Sequence, residues 1–170
     1  TYDNIPSNEF GIILQYGIGQ SEFMWNIRTL PNVHKAFTAV WNNSDLITDF
    51  GGAVVLRPIN NCTAGKWRTA ESWYHVDQNG KSRSGLQTIQ GSLILTNQTR
   101  KTGGLVVLPK SWKYHNQLSE RASMHWNVSN DSHFLLVPKN DEIFNHYTRN
   151  NQPLFVYAEP GDLVLWDSRT

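Results

Sequence analysis

One pair of side chains in this sequence has the types and the spacing of metal ligands. His75 and Asp77 are separated by Val76 alone. On a β-strand, residues i and i+2 point to the same face, so the imidazole and the carboxylate can converge on one ion. A neutral imidazole and a carboxylate, completed by a second histidine, form the facial ligand set of non-haem Fe(II) oxygenases. The pair therefore predicts two ligands of an iron site, and the alternative interpretation is a hydrogen-bonded pair at a strand end.

A helical segment, residues 20–50, is predicted to precede this strand. Its clearest part begins at Pro31, because proline is favourable in a first helical turn, where its missing N–H needs no partner. Apolar residues then follow at i, i+4, i+7 and i+8, which is the period of an amphipathic helix. These positions are Val33, Phe37, Val40 and Trp41. The polar residues Asn42–Ser44 end the pattern.

From Gly51 onward, short apolar runs between turn residues predict an all-β core, residues 51–170. The runs are rich in Val, Ile, Leu and aromatic residues, and glycine and proline punctuate them. Many short strands of this kind indicate a sandwich, a jelly roll or a barrel, of which a jelly roll is preferred. The predicted strands are Ala53–Leu56, Ser72–Asp77, Leu86–Thr96, Gly104–Leu108, His133–Val137, Leu154–Ala158 and Asp162–Trp166. The polar stretch Asn140–Gln152 is predicted to be the longest loop.

Length and composition restrict the class of protein. The 170 residues fit one domain, residues 1–170. No apolar run approaches the roughly 20 residues that cross a bilayer, so a membrane protein is not expected. The formal charge is +1 without a basic cluster, which argues against nucleic-acid binding. Cys62 is the single cysteine, and this favours a reducing, cytoplasmic setting.

Two further stretches connect the His-x-Asp strand with a known family. They are GGLVVLPKSWKYH at Gly103–His115 and PGDLVLWDSRT at Pro160–Thr170. With Ser72–Asp77 and Arg57–Pro58, in this order and spacing, they resemble the phytanoyl-CoA dioxygenase family. In that family the His-x-Asp strand is followed by a Gly-Leu-Val-Val-Pro-Gly-Ser-His-like turn, and then by a Pro-Gly-Asp strand that leads to a second histidine. The resemblance covers most of the chain and is least diagnostic in Ser119–Gln152.

The resemblance implies a mainly β fold, the double-stranded β-helix, which is a cupin-like jelly roll with N-terminal helices packed on it. It implies Fe(II), 2-oxoglutarate and O₂, and hydroxylation of an unidentified small-molecule or side-chain substrate with release of succinate and CO₂. His75 and Asp77 carry over as metal ligands. The third ligand is expected just after Thr170, followed by an arginine that binds 2-oxoglutarate. A single oxygenase domain without its C-terminal end is therefore expected, and the chain as given should be incompetent.

Two residues are candidates for contact with the cosubstrate. Gln90 matches most closely a family position that hydrogen-bonds 2-oxoglutarate. By the period of two along Leu86–Thr96, Thr88 and Ser92 share its face. The alternative for Gln90 is a polar residue on an outward strand face. The sequence and the resemblance together predict Gln90 and Thr88 as cosubstrate-binding residues.

The substrate side of the site is predicted to include Trp73 and Arg68. Trp73 shares the strand face of His75 and Asp77, and plain core packing is its alternative. Arg68 belongs to a basic segment before the metal strand, where loops commonly hold specificity. Its cation would bind an anionic group on the substrate, and a solvated loop is the alternative.

Other polar residues are predicted to be structural. Arg169 is interpreted as a strand-end charge rather than as the cosubstrate arginine. Trp112 and Lys110 replace the histidine and the glycine of the family's turn, which affects turn geometry but not iron binding. The histidines outside the His-x-Asp pair in the later segments are expected not to bind metal: His115, His125, His133 and His146.

Two other classes of function compete with the oxygenase. One is a catalytically inactive or non-oxidative jelly roll that binds a metal or a small molecule, because a fold does not fix a function. Its signature is metal binding without 2-oxoglutarate turnover. The other is a structural or interaction jelly roll in which the His-x-Asp pair is incidental. Its signature is the absence of selective Fe(II) binding.

Overall fold

The fold is described from a computed structural model, which describes residues 5–57, 73–125, 128–129, 132–138 and 140–170. Two compact units are distinguished within these residues. One comprises the described part of Thr1–Arg68 together with Lys101–Gly103, and the other comprises the described part of Thr69–Arg100 together with Gly104–Thr170. The single-domain organisation stays a prediction.

The first unit contains the predicted helical segment and a short antiparallel pair of strands. Ser21 caps the first helix by accepting a hydrogen bond from the Met24 N–H, and Pro31 occupies the first turn of the second. Asn42 ends that helix in the left-handed conformation, with φ of 50°. The helix predicted from Pro31 is therefore confirmed. The elements are β1 Ile12–Ile13, a 3₁₀ turn Ile18–Gln20, α1 Glu22–Arg28, α2 Pro31–Trp41 and β2 Ala53–Val54, with β1 paired to β2.

In its described residues, the second unit contains the remaining strands and two helices. Its strands pair antiparallel, β3 with β6, β4 with β8 and β5 with β7. Each run predicted to be a strand overlaps one, although most strands are shorter than their runs and the last extends one residue beyond its run, to Asp167. The strand β1 was not predicted. The elements are β3 His75–Val76, β4 Ile89–Leu93, β5 Val106–Val107, a 3₁₀ turn Ser111–Tyr114, α3 His115–His125, β6 Leu135–Leu136, α4 Glu142–Asn150, β7 Leu154–Phe155 and β8 Leu163–Asp167.

The helices α3 and α4 contradict the prediction of an all-β core. The stretch Asn140–Gln152, predicted to be a loop, contains α4. This helix begins where the Asp141 carboxylate accepts the N–H groups of Ile143 and Phe144, as an N-cap does. In α3, Leu118 and Ala122 are buried one helical turn apart, while Met124 is exposed. The buried apolar face of α3 is therefore narrow, and the apolar residues of this stretch show little of the periodic spacing that predicts a helix from sequence.

A small apolar cluster lies behind the His-x-Asp strand. Val76, Ala122 and Leu135 are each at most 4% exposed, and Val128 packs against them. Val76 and Leu135 are Cα partners in the β3–β6 pair, so both turn toward α3. Because side chains alternate along a strand, burial of Val76 directs its neighbours His75 and Asp77 to the opposite face. The core thus sets the orientation of the candidate ligands.

Among the described residues, the strands form small antiparallel pairs rather than a closed barrel. The jelly roll stays a prediction. In the same part of the chain, no helix has both the length and the apolar character needed to cross a bilayer.

Candidate metal site and its surroundings

The side chains of His75 and Asp77 converge on one point. The Nε2 atom of His75 lies 3.5 Å from Oδ1 of Asp77, and the two side chains are 26% and 36% exposed. Two cis ligands of an octahedral ion, each about 2.1 Å from the metal, lie about 3 Å apart. The observed separation is close to that value and is too long for a hydrogen bond. Both groups are open enough for an ion to reach them.

A hydrogen bond to the main chain sets the tautomer of His75. Its Nδ1 lies 3.0 Å from the Trp73 carbonyl oxygen, which can only accept, so Nδ1 carries the proton. In the neutral imidazole, Nε2 then presents its lone pair toward the Asp77 carboxylate. Metal-binding histidines commonly donate their other N–H in this way. An imidazole lone pair and a carboxylate oxygen directed at one point are the donor types of an Fe(II) site, so the pair fits two of its ligands.

Trp73 supports the imidazole a second time. Its indole stacks on the His75 ring, with centroids 4.5 Å apart and an angle of 30° between the planes. Tyr74, one residue later, packs on Phe144 of α4 instead. The structure thus brings Trp73, His75 and Asp77 together, as their common strand face predicts.

A ladder of main-chain hydrogen bonds joins the segment that carries His75 and Asp77 to the segment that carries Thr88. The Asp77 N–H donates to the Ser168 carbonyl, and the Ser168 N–H donates to the Thr88 carbonyl. Ser168 therefore lies between Asp77 and Thr88. Two strand spacings of about 4.8 Å place the Asp77 and Thr88 backbones roughly 10 Å apart.

Gln90 and Thr88 differ in their surroundings. Gln90 lies within β4 opposite Trp166 and is half-buried, and its Oε1 is buried without a hydrogen-bond partner. An amide end without a partner at a buried position costs free energy, and a bound ligand removes that cost. The assignment of O and N in an amide follows from its partners, so this end can equally be the donor that a carboxylate needs. The Thr88 residue is exposed.

Two remaining predictions, Arg68 and the third metal ligand, are not tested by the described residues. Arg68 lies outside the described residues. Within the described parts of the chain, no group of three His, Cys, Asp or Glu side chains is arranged to hold a metal. The third ligand therefore stays a prediction for residues that follow Thr170.

Two supporting residues, Gln78 and Ser168, were missed by sequence reasoning, and His115, which was predicted to be structural, lies with them. Gln78, His115 and Ser168 are each at most 2% exposed and are linked by hydrogen bonds. His115 Nε2 donates to the Gln78 carbonyl over 2.6 Å, and His115 was expected only to be structural. The signal in the sequence was the position of Gln78 directly after Asp77. A polar residue there is ambiguous until its burial is known.

Arg169 is held by an ion pair at the end of β8. Its Nε and Nη2 donate to the two carboxylate oxygens of Asp167, the latter over 2.6 Å, and its guanidinium lies 5.5 Å from the centre of the Trp112 ring. Such two-pronged contacts are the strong form of an arginine–carboxylate pair. A guanidinium held in this way agrees with the interpretation of Arg169 as a strand-end charge.

This pair makes a pH-dependent contribution to stability. Burial raises the pKa of the Asp167 carboxyl, but the hydrogen bonds from Arg169 and its positive charge together outweigh burial, so the pKa lies below its ordinary value of 3.8. A depressed pKa in the folded state stabilises the fold above the unfolded-state pKa. That stabilisation is lost as the pH falls through the folded-state pKa.

We expect the substitution Arg169→Gln to lower the free energy of unfolding at pH 7, where the pair is ionised. The difference from the parent should shrink as the pH falls from about 4 into the acid range, because the parent then loses the pair as well. Urea unfolding at several pH values between 3 and 7 measures both curves. Arg149→Gln, on exposed Arg149 in the last turn of α4, is the matched control. Parallel curves for Arg169→Gln and the parent would contradict the assignment.

Comparison with known proteins places the chain among distant relatives. It is 29% identical over 178 residues to the "Ava biosynthesis cluster protein O" of Aspergillus versicolor, an alignment that covers 100% of this chain and 54% of that protein. It is 26% identical over 196 residues to a Dictyostelium discoideum protein named "Putative phytanoyl-CoA dioxygenase", covering 99% of this chain and 55% of that protein. No protein-family model matches the chain, and no solved structure matches it. The chain spans about half the length of these curated relatives, and the second likeness agrees with the family resemblance of its motifs.

Proposed function

We propose that this chain forms the larger part of the catalytic domain of an Fe(II)- and 2-oxoglutarate-dependent dioxygenase of the phytanoyl-CoA dioxygenase type. The reaction would be hydroxylation of a small molecule or a side chain, with release of succinate and CO₂. The observation that carries this proposal is the His75–Asp77 pair. Its Nε2 and Oδ1 atoms lie 3.5 Å apart, with His75 Nδ1 held by the Trp73 carbonyl.

In this proposal His75 and Asp77 supply one neutral and one anionic ligand, and the carboxylate offsets part of the metal charge. A histidine from residues after Thr170 would complete the set. Ser168, whose carbonyl accepts the Asp77 N–H, lies two positions before Thr170. Residues that continue from Thr170 would therefore begin beside the metal pair. A jelly roll would bring the next strand to the same face.

The cosubstrate and the substrate would lie on two sides of the metal pair. Gln90 would donate a hydrogen bond to 2-oxoglutarate through its buried amide end. Thr88 would contact the cosubstrate from the position just before the start of the same strand, β4. Trp73 would border the substrate while it holds the imidazole of His75, and Arg68 would bind an anionic group of the substrate. When bound, Fe(II) with 2-oxoglutarate and O₂ supplies the oxidation. The chain itself holds the ligands, orients the cosubstrate and limits access of water.

The proposal is tested in the full-length protein by anaerobic titration with Fe(II) and then with 2-oxoglutarate. We expect a visible metal-to-ligand charge-transfer band that saturates with 2-oxoglutarate. His75→Ala should abolish the band because it removes the imidazole ligand. His146→Ala, on an exposed helical histidine, should leave the band unchanged and serves as the matched control.

Two results would count against the oxygenase. A folded full-length protein that binds Fe(II) without developing the band would support a metal-binding jelly roll without 2-oxoglutarate chemistry. A folded protein without Fe(II) binding would support an interaction module in which the His-x-Asp pair is incidental. A cytoplasmic location stays a prediction in either case.

A further inference from the structure

Gln78, the residue directly after Asp77, lies at the centre of a buried polar network. It is 1% exposed, and every hydrogen-bonding group of its side chain has a partner. The Nε2 group donates to the carbonyls of Arg83 and Gly85 over 2.8 and 2.6 Å. The Oε1 atom accepts the Gln87 N–H over 3.3 Å and lies 3.1 Å from the Ser168 hydroxyl. An amide with both donors and its acceptor oxygen engaged is fixed in one orientation.

Each partner of Gln78 belongs to a segment that borders the candidate site. Arg83, Gly85 and Gln87 form the turn that leads into Thr88 and the strand β4. Ser168 links the segment that carries Asp77 to Thr88, because its main-chain carbonyl accepts the Asp77 N–H and its N–H donates to the Thr88 carbonyl. The Ser168 hydroxyl also lies 3.0 Å from the Thr88 carbonyl and can donate to either neighbour.

The helix α3 closes the network from behind. His115 Nε2 donates to the main-chain carbonyl of Gln78, and the Ser119 hydroxyl accepts the Gly80 N–H over 3.0 Å. A Cβ atom on Gly80 would lie 2.7 Å from the Ser119 hydroxyl oxygen and 2.9 Å from the His115 ring. The turn after Asp77 therefore lies directly against α3, with no space for a side chain at Gly80.

We infer that Gln78 is a positioning residue that holds the metal pair in register with the 2-oxoglutarate strand, an inference that rests on the proposed function. Gln78 is bonded covalently to Asp77 on one side. On the other side, its side chain is hydrogen-bonded to the turn before Thr88 and to Ser168. This amide therefore acts together with the main-chain ladder through Ser168 to hold Asp77 next to the segment that carries Thr88.

The test compares Gln78→Met with Gln87→Met in the full-length protein. Methionine has the length of glutamine but neither donates nor strongly accepts hydrogen bonds, so Gln78→Met removes the network at nearly constant volume. Gln87 is exposed, and its side chain bonds only to the Ser84 carbonyl. We expect Gln78→Met to raise the dissociation constants of Fe(II) and 2-oxoglutarate by roughly tenfold or more, as loss of outer-shell partners does in metal sites. Gln87→Met should retain the parent values.

A purely structural role for Gln78 predicts a different result. Gln78→Met would then unfold at a lower temperature while both dissociation constants stayed at their parent values, and this would overturn the inference. If Gln78→Met does not fold, Ser168→Ala removes a single hydroxyl from the same network. It should raise both constants in the same direction by a smaller factor, and unchanged constants in that variant would also contradict the inference.

Amide hydrogen exchange in the metal-free protein separates this inference from the proposed function. The Asp77 N–H should exchange faster in Gln78→Met than in the parent, while amides of the β4–β8 ladder keep their parent rates. Equal acceleration of all these amides would indicate general destabilisation and reject the positioning role. If the parent protein binds neither Fe(II) nor 2-oxoglutarate, the proposed function fails, and the exchange rates alone decide whether Gln78 holds Asp77.

Discussion

Substitution of Asp77 by asparagine is expected to weaken Fe(II) binding by about 100-fold or more, beyond the range seen for loss of outer-shell partners. Asparagine keeps the shape of the side chain and one oxygen, but it removes the negative charge that offsets the charge of the metal. Fe(II) affinity, measured by anaerobic calorimetry of the full-length protein, gives the size of the effect. Because the side chain is 36% exposed, the substitution should leave the temperature of unfolding nearly unchanged.

Asp162→Asn is the matched control for this substitution. The Asp162 carboxylate accepts the Glu159 N–H over 2.8 Å in the turn before β8, and an amide oxygen can accept the same bond. Its Fe(II) affinity should equal that of the parent. An Asp77→Asn protein that binds Fe(II) as tightly as the parent would show that Asp77 is not a ligand, and the His75–Asp77 pair would then be a strand-end pair.

A large loss of stability is expected for Asp141→Ala. The carboxylate of Asp141 is fully buried, caps α4 through the N–H groups of Ile143 and Phe144, and pairs with Arg121 of α3 over 2.8 Å. Alanine leaves both N–H groups without an acceptor, so the free energy of unfolding should fall by about 2 kcal/mol, the upper part of the range for N-caps. Urea unfolding at neutral pH measures it.

Two other substitutions separate the cap from the ion pair. Asp141→Asn keeps an oxygen that can cap α4 and removes the charge that faces Arg121, so it should lose less stability than Asp141→Ala. Glu142→Ala removes the exposed carboxylate that also pairs with Arg121, and it should change stability little. A loss for Asp141→Asn as large as that for Asp141→Ala would assign the effect to the ion pair instead of the cap.

The sequence predicted elements best where one local signal was strong. The helix from Pro31 has a proline at its start and a regular apolar stripe, and it is observed over Pro31–Trp41. The positions of β2–β8 followed from apolar runs between glycines and prolines, whereas β1 was not predicted. The lengths of the strands did not follow, because pairing between segments far apart in sequence sets where a strand ends. Gly91, for example, has its partner at Leu165.

The two helices that the sequence analysis missed show the limits of periodicity. The helix α3 buries polar side chains, His115 and Ser119, and so has little apolar signal. The helix α4 carried a usable signal in Asp141, an N-cap residue before an acidic first turn. That signal was outweighed by the polar composition of the segment. A polar stretch should therefore be searched for a helix N-cap residue before it is predicted to be a loop.

For the candidate site, the spacing of His75 and Asp77 was sufficient to predict their common face and the side of Trp73. The supporting network was not predictable, because Gln78 and Ser168 meet through tertiary structure over ninety residues of sequence. Because Gln78 is buried, its side-chain amide must be hydrogen-bonded within the protein, and the fold determines the partners. Only the fold supplies that information.

The hydrogen bond from the Asp77 N–H to the Ser168 carbonyl has a consequence for the newly synthesised chain. Ribosomes add about 5 to 20 residues per second, so the ninety residues that separate Gln78 from Ser168 take roughly 5 to 18 s to make. During that time the segment that carries Asp77 lacks its hydrogen-bonded neighbour on this side. The ladder around Asp77 can therefore form only after Ser168 has left the ribosomal tunnel, so the support of the His75–Asp77 pair is completed well after the strand that carries it has been made.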